Sequence, residues 1–108
     1  MSKHQFIMRC VKVYKMLCDT KLRLRKQYAL KKKLLKFRVS TDRIDANIDH
    51  LRDKLKRLKK ENRDQDKYMA HYGIENLVMI YDESGKITYK VYDRPVSMDD
   101  IIHDLETR

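Results

Sequence analysis

The chain has 108 residues, a size that fits one small domain. Charged residues make up 39% of it, with two Gly, one Pro and no Trp, which fits an elongated helical protein better than a compact globule. The 42% apolar content excludes disorder along the whole chain. The net charge of +10 is uneven: residues 1–60 hold 20 Lys and Arg against 5 Asp (+15), and residues 61–108 hold 6 basic against 11 acidic residues (−5). Two halves of opposite sign imply different partners or mutual attraction.

No Gly or Pro occurs from His4 to Tyr72, so helix breakers are absent over that span. The first part carries an apolar stripe at Ile7, Cys10, Val11, Tyr14, Leu17, Cys18, Leu24 and Tyr28. A second stripe follows at Leu30, Leu34, Phe37, Thr41, Ile44, Ile48, Leu51, Leu55, Leu58, Asn62, Gln65, Met69 and Tyr72, at alternating steps of three and four. The first phase would continue at Lys31, so the pattern slips by one residue near 28–31, as at a stammer or a bend between helices. Val39, Ser40, Thr41 and Asp42 offer a second break, because Ser, Thr and Asp are good N-caps and Val is a weak helix former. Phe37, Thr41 and Ile44 nevertheless stay in register, which predicts one continuous helix over roughly 28–71. The alternative is an antiparallel hairpin of helices 4–38 and 42–71 joined by a short turn.

With Ile48 and Leu55 at a, residues Ile44, Leu51 and Leu58 fall at d and Asn62 at a. Such a seam buries itself against another helix, and a polar a residue can set register. Leu30, Leu34, Phe37, Ile44, Ile48, Leu51, Leu55, Leu58, Asn62 and Met69 are the expected oligomer interface. In a parallel homodimer Lys33 would face Arg38, Lys54 would face Lys59 and Glu61 would face Asp66. These like-charged pairs lean towards an antiparallel pairing, a hairpin or a heteromeric partner.

Gly73 ends the helical region as a left-handed cap. Residues 77–81 read as a strand apolar on both faces, and 87–92 as a strand with Ile87, Tyr89 and Val91 on its apolar face. Asp82 to Gly85 is turn chemistry between them. Pro95 closes the second strand, and Ser97 caps a short helix with Asp99 and Asp100 in its first turn and Met98, Ile101, Ile102 and Leu105 on its apolar face. The expected architecture is mostly α: a long coiled-coil helix or helical hairpin, then a β-hairpin and a short C-terminal helix. It divides into a basic helical region, 1–72, and a small module, 73–108, too short to bury a core alone.

Lys21, Arg23, Arg25, Lys26, Lys31, Lys32, Lys33, Lys36 and Arg38 occur without an intervening acid, and Lys56, Arg57, Lys59 and Lys60 form a second cluster with Lys54. Rows of cations suit phosphate backbones. The layout of a basic segment followed by heptads is similar to that of the leucine-zipper transcription factors. Residues 21–38 depart from that family: they hold no Asn and are rich in Leu, so base-edge readout is not expected. An acidic protein surface or an anionic membrane surface are the other candidate partners for these cations.

Chemistry-bearing motifs are sparse. His4, His50, His71 and His103 lie far apart, and His4, Cys10 and Cys18 lack zinc-module spacing. No phosphate loop, nucleophile elbow or HExxH occurs, so neither catalysis nor a cofactor is expected. Cys10 and Cys18 read as reduced apolar-face residues of an intracellular protein. No stretch approaches the roughly 18 apolar residues of a membrane span. The functional expectation is a non-enzymatic coiled-coil assembly protein, nuclear more than cytoplasmic, that contacts nucleic acid or chromatin without sequence selectivity. The alternative is an adaptor subunit that docks through the heptad seam and the C-terminal hairpin.

Overall fold

A capping box starts the first helix. The Ser2 hydroxyl accepts from the Gln5 amide at 3.1 Å, and the Gln5 side chain accepts from the Ser2 amide at 2.9 Å. From there α1 runs unbroken over Lys3–Lys36, ending with Lys33 and Lys36 near its negative dipole end. The computed structural model describes residues 1–106. After α1 the chain reverses and α2 runs over Asp42–Asp66, with Asp42 and Asp45 in its first turn. A single 3₁₀ turn at Ala70–Tyr72 leads to strands β1 (Asn76–Tyr81) and β2 (Ile87–Tyr92), and α3 spans Met98–Glu106.

The continuous helix expected over 28–71 does not form. The chain turns at 37–41 through a Schellman motif: Val39 N–H donates to Leu34 O at 3.0 Å and Arg38 N–H to Leu35 O at 3.2 Å. Arg38 takes the left-handed position that Gly usually fills, with φ 54°. A non-Gly residue there costs about 1–2 kcal/mol. Folding back buries Val13 and Leu17 of α1 against Leu58 of α2, with Met16 and Leu55 beside them. Each such side chain contributes about 1.5–3 kcal/mol, so the buried seam outweighs the strained turn.

The phase slip near 28–31 is likewise not a bend. The N-terminal part of α1 has two covered faces. Phe6, Ile7 and Cys10 pack with Ile74, joined by Val11, Leu77 and Val91, while Val13 and Leu17 pack on α2. Reading both faces as one stripe produces the apparent slip. The α2-facing phase continues through Lys31 and Leu34, both partly covered, and Leu30 is left exposed.

A second Schellman motif closes the helical region: Ile74 N–H donates to Met69 O and Gly73 N–H to Ala70 O, both at 3.0 Å, with Gly73 at φ 69°. It drops Ile74, buried, into the core between α1 and the hairpin. Strands β1 and β2 pair antiparallel, Leu77 opposite Val91, Met79 opposite Tyr89 and Tyr81 opposite Ile87. The connecting turn is held by Asp82, whose carboxylate accepts from Ser84 and Lys86 amides, and by Gly85 at φ 82°. This sheet docks on the N-terminal part of α1. Tyr81 donates to Asp19 at 2.6 Å and Lys15 to Gly85 O at 2.8 Å. On the other sheet face Lys90 and Tyr92 hold Asp104 of α3, and Ser97 caps α3 through the Asp100 amide. The side chain of Leu105, expected on the apolar face of α3, lies outside the described residues.

Candidate nucleic-acid interface

Helical spacing decides where the cations stand. On α1, Arg23, Lys26, Leu30 and Lys33 follow at steps of three and four, along one flank of the seam. On α2, Arg43, Asn47, His50, Lys54 and Arg57 follow the same rule. The antiparallel pairing brings the two rows together: Arg23, Lys26 and Gln27 line one wall of a groove of about 340 Å³, and Asn47, His50 and Leu51 line the other. Between Arg23 and Lys33 and between Arg43 and Arg57 every charged side chain in these rows is positive; the rows are bounded by acids, Asp19 one turn before Arg23 and Glu61 one turn after Arg57, the latter paired with Arg9. Gln27 Oε1 is buried without a hydrogen-bond partner among the described residues.

The opposite flank is mixed. Its groove is lined by Leu24, Asp49, Arg52, Asp53, Leu55, Lys56 and Lys59, and Lys31 is held by Asp45 at 2.7 Å. The hydrogen bond from Lys31 and then that from Thr41 keep the Asp45 carboxyl below its ordinary range. On this side Asp45 pairs with Lys31, and Asp49 and Asp53 stand among the cations of the groove.

The thirteen cations expected to meet nucleic acid thus separate into groups. Arg23, Lys26, Lys33 and Arg57 belong to the all-positive flank. Lys31, Lys56 and Lys59 belong to the mixed flank. Lys21 and Arg25 border a third groove with Asp82 and Glu83 of the β-turn. Lys32, Lys36 and Arg38 are exposed at the turn end of the arm, and Lys60 is exposed on α2. Arg43, Asn47 and His50 join the cationic flank without belonging to a charge run. Their signal is the four-three-four-three spacing to Lys54 and Arg57, which acquires meaning only once α2 is laid antiparallel on α1.

The seam residues expected at an oligomer interface are distributed as the hairpin dictates. Ile48 and Leu58 are buried, and Leu34, Ile44, Leu51, Leu55 and Asn62 are partly covered. Met69 packs against the core beside Ile74. Leu30 and Phe37 are exposed. A partner helix reaches Ile48 and Leu58 only if the hairpin opens.

Other reactive groups are structural. Cys10 is buried, and desolvation, with Asp66 adding to it, pushes its thiol up to about 11. At neutral pH it stays protonated and a poor nucleophile. Among the described residues no group of three His, Cys, Asp or Glu could hold a metal ion, and no helix is long and apolar enough to cross a membrane. Comparison with protein-family models, curated proteins and solved structures gives no match.

Proposed function

We propose that this protein binds nucleic acid through its sugar-phosphate backbone, without sequence selectivity, using the cationic flank of the α1–α2 hairpin. The observation that carries this reading is the segregation of charge. Arg23, Lys26 and Lys33 stand beside Arg43, Lys54 and Arg57, while Asp45, Asp49 and Asp53 are confined to the other side. The rows span about 15 Å on α1 and about 21 Å on α2 along the helix axes, beside a duplex that carries one charge per about 1.7 Å. Asn47 and His50 add further side-chain donors for phosphate oxygens. A chromatin-associated, nuclear setting is part of this proposal, as is the absence of catalysis.

The test is binding of the full chain to a random-sequence duplex over a salt series. Contact with three to six phosphates gives a log–log slope of about −3 to −5. Replacing Arg23 and Lys54 with Ala reduces that slope by about two. The same loss from Lys56→Ala with Lys59→Ala removes the case for one flank, and salt-independent binding removes the reading altogether.

A further inference from the structure

The turn between α1 and α2 carries exposed apolar side chains that phosphate binding does not use. Phe37 is 78% exposed, Leu35 58% and Val39 51%. They sit around a reverse turn at the end of the two-helix arm away from the β-sheet. Lys32, Lys33, Lys36 and Arg38 surround them, all exposed and, among the described residues, without an ion-pair partner. The chain has no acid between Asp19 and Asp42. Arg38 itself holds the left-handed position of the turn, where Gly would be relaxed, which places a fourth cation at the tip.

We propose that residues 35–39 form a tip that inserts into the interfacial region of an anionic phospholipid membrane. Hydrocarbon side chains exposed at a convex end gain by leaving water, and the cations around them need anions at nearly the same depth. An anionic bilayer supplies both, with acyl chains just below a layer of phosphate and carboxylate headgroups. The long Lys and Arg stems lie along the apolar part while their charged ends reach the headgroups. A nucleic acid offers the phosphates, but a base step admits one flat wedge, not three side chains spread around a turn. The inference is independent of the nucleic-acid reading.

The experiment uses the full chain and vesicles of phosphatidylcholine with about one-third phosphatidylserine. The protein has no tryptophan, so Phe37→Trp reports on the tip alone. Its emission shifts to the blue on the anionic vesicles and is quenched by lipids brominated along their upper acyl chains, while pure phosphatidylcholine leaves it unchanged. Replacing Phe37 and Val39 together with Ser, which preserves net charge, lowers partitioning about tenfold or more, with helicity checked by circular dichroism. An unshifted Trp on anionic vesicles overturns the proposal. So does a Ser variant that partitions like the parent, since that is only the attraction of a basic chain to an anionic surface. A Ser variant that loses duplex binding by the same factor reassigns the tip as a base wedge. A blue shift that grows with protein concentration in the absence of lipid reassigns it to contact with a second copy.

Discussion

Lys31 Nζ lies 2.7 Å from Asp45 Oδ1 across the antiparallel helix pair. Asp45 also accepts from Thr41, the residue before α2, at 2.9 Å. One carboxylate thus joins the last turns of α1 to the first turn of α2 and sets where α2 lies along α1. Arg9 with Glu61, 2.6 Å apart, does the same at the far end. The two links bracket the apolar contacts of Val13 and Leu17 with Leu58.

The first prediction concerns that link. A zero-length carbodiimide reagent will join Lys31 to Asp45 within one chain, detected by peptide mass spectrometry and by isotope-mixed samples that show no intermolecular product. In a continuous helix these residues would stand about 21 Å apart, beyond the reagent's reach. Lys31→Asp lowers the melting temperature, and adding Asp45→Lys restores part of it; recovery is partial because Lys in the first turn of α2 opposes the helix dipole. Both groups are partly exposed, so salt weakens the link. The Asp45 carboxyl is lowered and the Lys31 ammonium raised by one another. The carboxylate contribution is complete above the ordinary Asp range and lost as pH falls through the folded value. The ammonium contribution is complete below the ordinary Lys value and lost as pH rises past the folded one.

Arg38→Gly should stabilise the protein. The hydrogen bonds of the Schellman turn come from backbone and survive the change, while the left-handed residue loses its Cβ penalty. The greater freedom of Gly in the unfolded chain offsets part of the gain. The expected net effect is about 0.5–1 kcal/mol, a rise of roughly 2–6 °C in melting temperature. A fall would mean that the Arg38 side chain contributes more to the turn than its backbone strain costs.

The two Schellman motifs show what the sequence could and could not disclose. Gly73 announces its turn because Gly is the usual left-handed cap. Arg38 gives no such signal, and the unbroken phase of Phe37, Thr41 and Ile44 argues for the opposite conclusion. The phase persists because Leu34 before the turn and Ile44 after it both face the interior of one hairpin, which local periodicity cannot distinguish from one straight helix. The strand pairing, Gly85 turn and Ser97 cap were all legible, since each rests on chemistry within a few residues. The capping box of Ser2 and Gln5 rests on the same kind of local chemistry, a Gln three residues after a Ser. For the candidate site, the cationic character of 21–38 could be read directly. The division into an all-positive and a mixed flank could not, because it depends on which side of α1 receives Asp45, Asp49 and Asp53.

Docking of the sheet on α1 should be visible in a tyrosine titration. The hydrogen bond to Asp19, with desolvation added, pushes the Tyr81 hydroxyl up to about 12. Among the seven tyrosines, a step near that value should disappear in Tyr81→Phe. The sign follows from the raised value: the contribution of this contact is complete below the ordinary tyrosine range near pH 10 and is lost as pH rises towards 12. The Asp19 carboxyl is lowered chiefly by the same hydrogen bond, so its share is complete above the ordinary carboxylate range and is lost in acid. Hydrogen exchange in β1 and β2 should therefore accelerate at both extremes before the α1–α2 pair opens. Unchanged sheet protection in Tyr81→Phe would place the docking energy in the Leu77, Val91 and Ile74 contacts instead.

Gln65 is the buried residue whose replacement should help most. It occupies the seam position reached from Leu58 and Asn62 by steps of four and three, is 7% exposed, and leaves both its amide nitrogen and oxygen without a partner. A buried polar group in that condition costs about 1–3 kcal/mol. Its surroundings are Phe6, Tyr68 and Tyr72, beside the Arg9–Glu61 ion pair. Leu has nearly the same reach without the amide, so Gln65→Leu should raise stability by about 1 kcal/mol. Gln65→Ala removes the same amide but opens a cavity, and the two effects should nearly cancel. Chemical denaturation of the three proteins separates the cases. If Leu destabilises as much as Ala, the amide is satisfied in solution and acts as a polar register mark in the seam. If Leu stabilises and Ala is neutral, the hairpin is held by its apolar contacts and by the Lys31–Asp45 and Arg9–Glu61 links, and Gln65 is a position at which the seam has been left weaker than its neighbours allow.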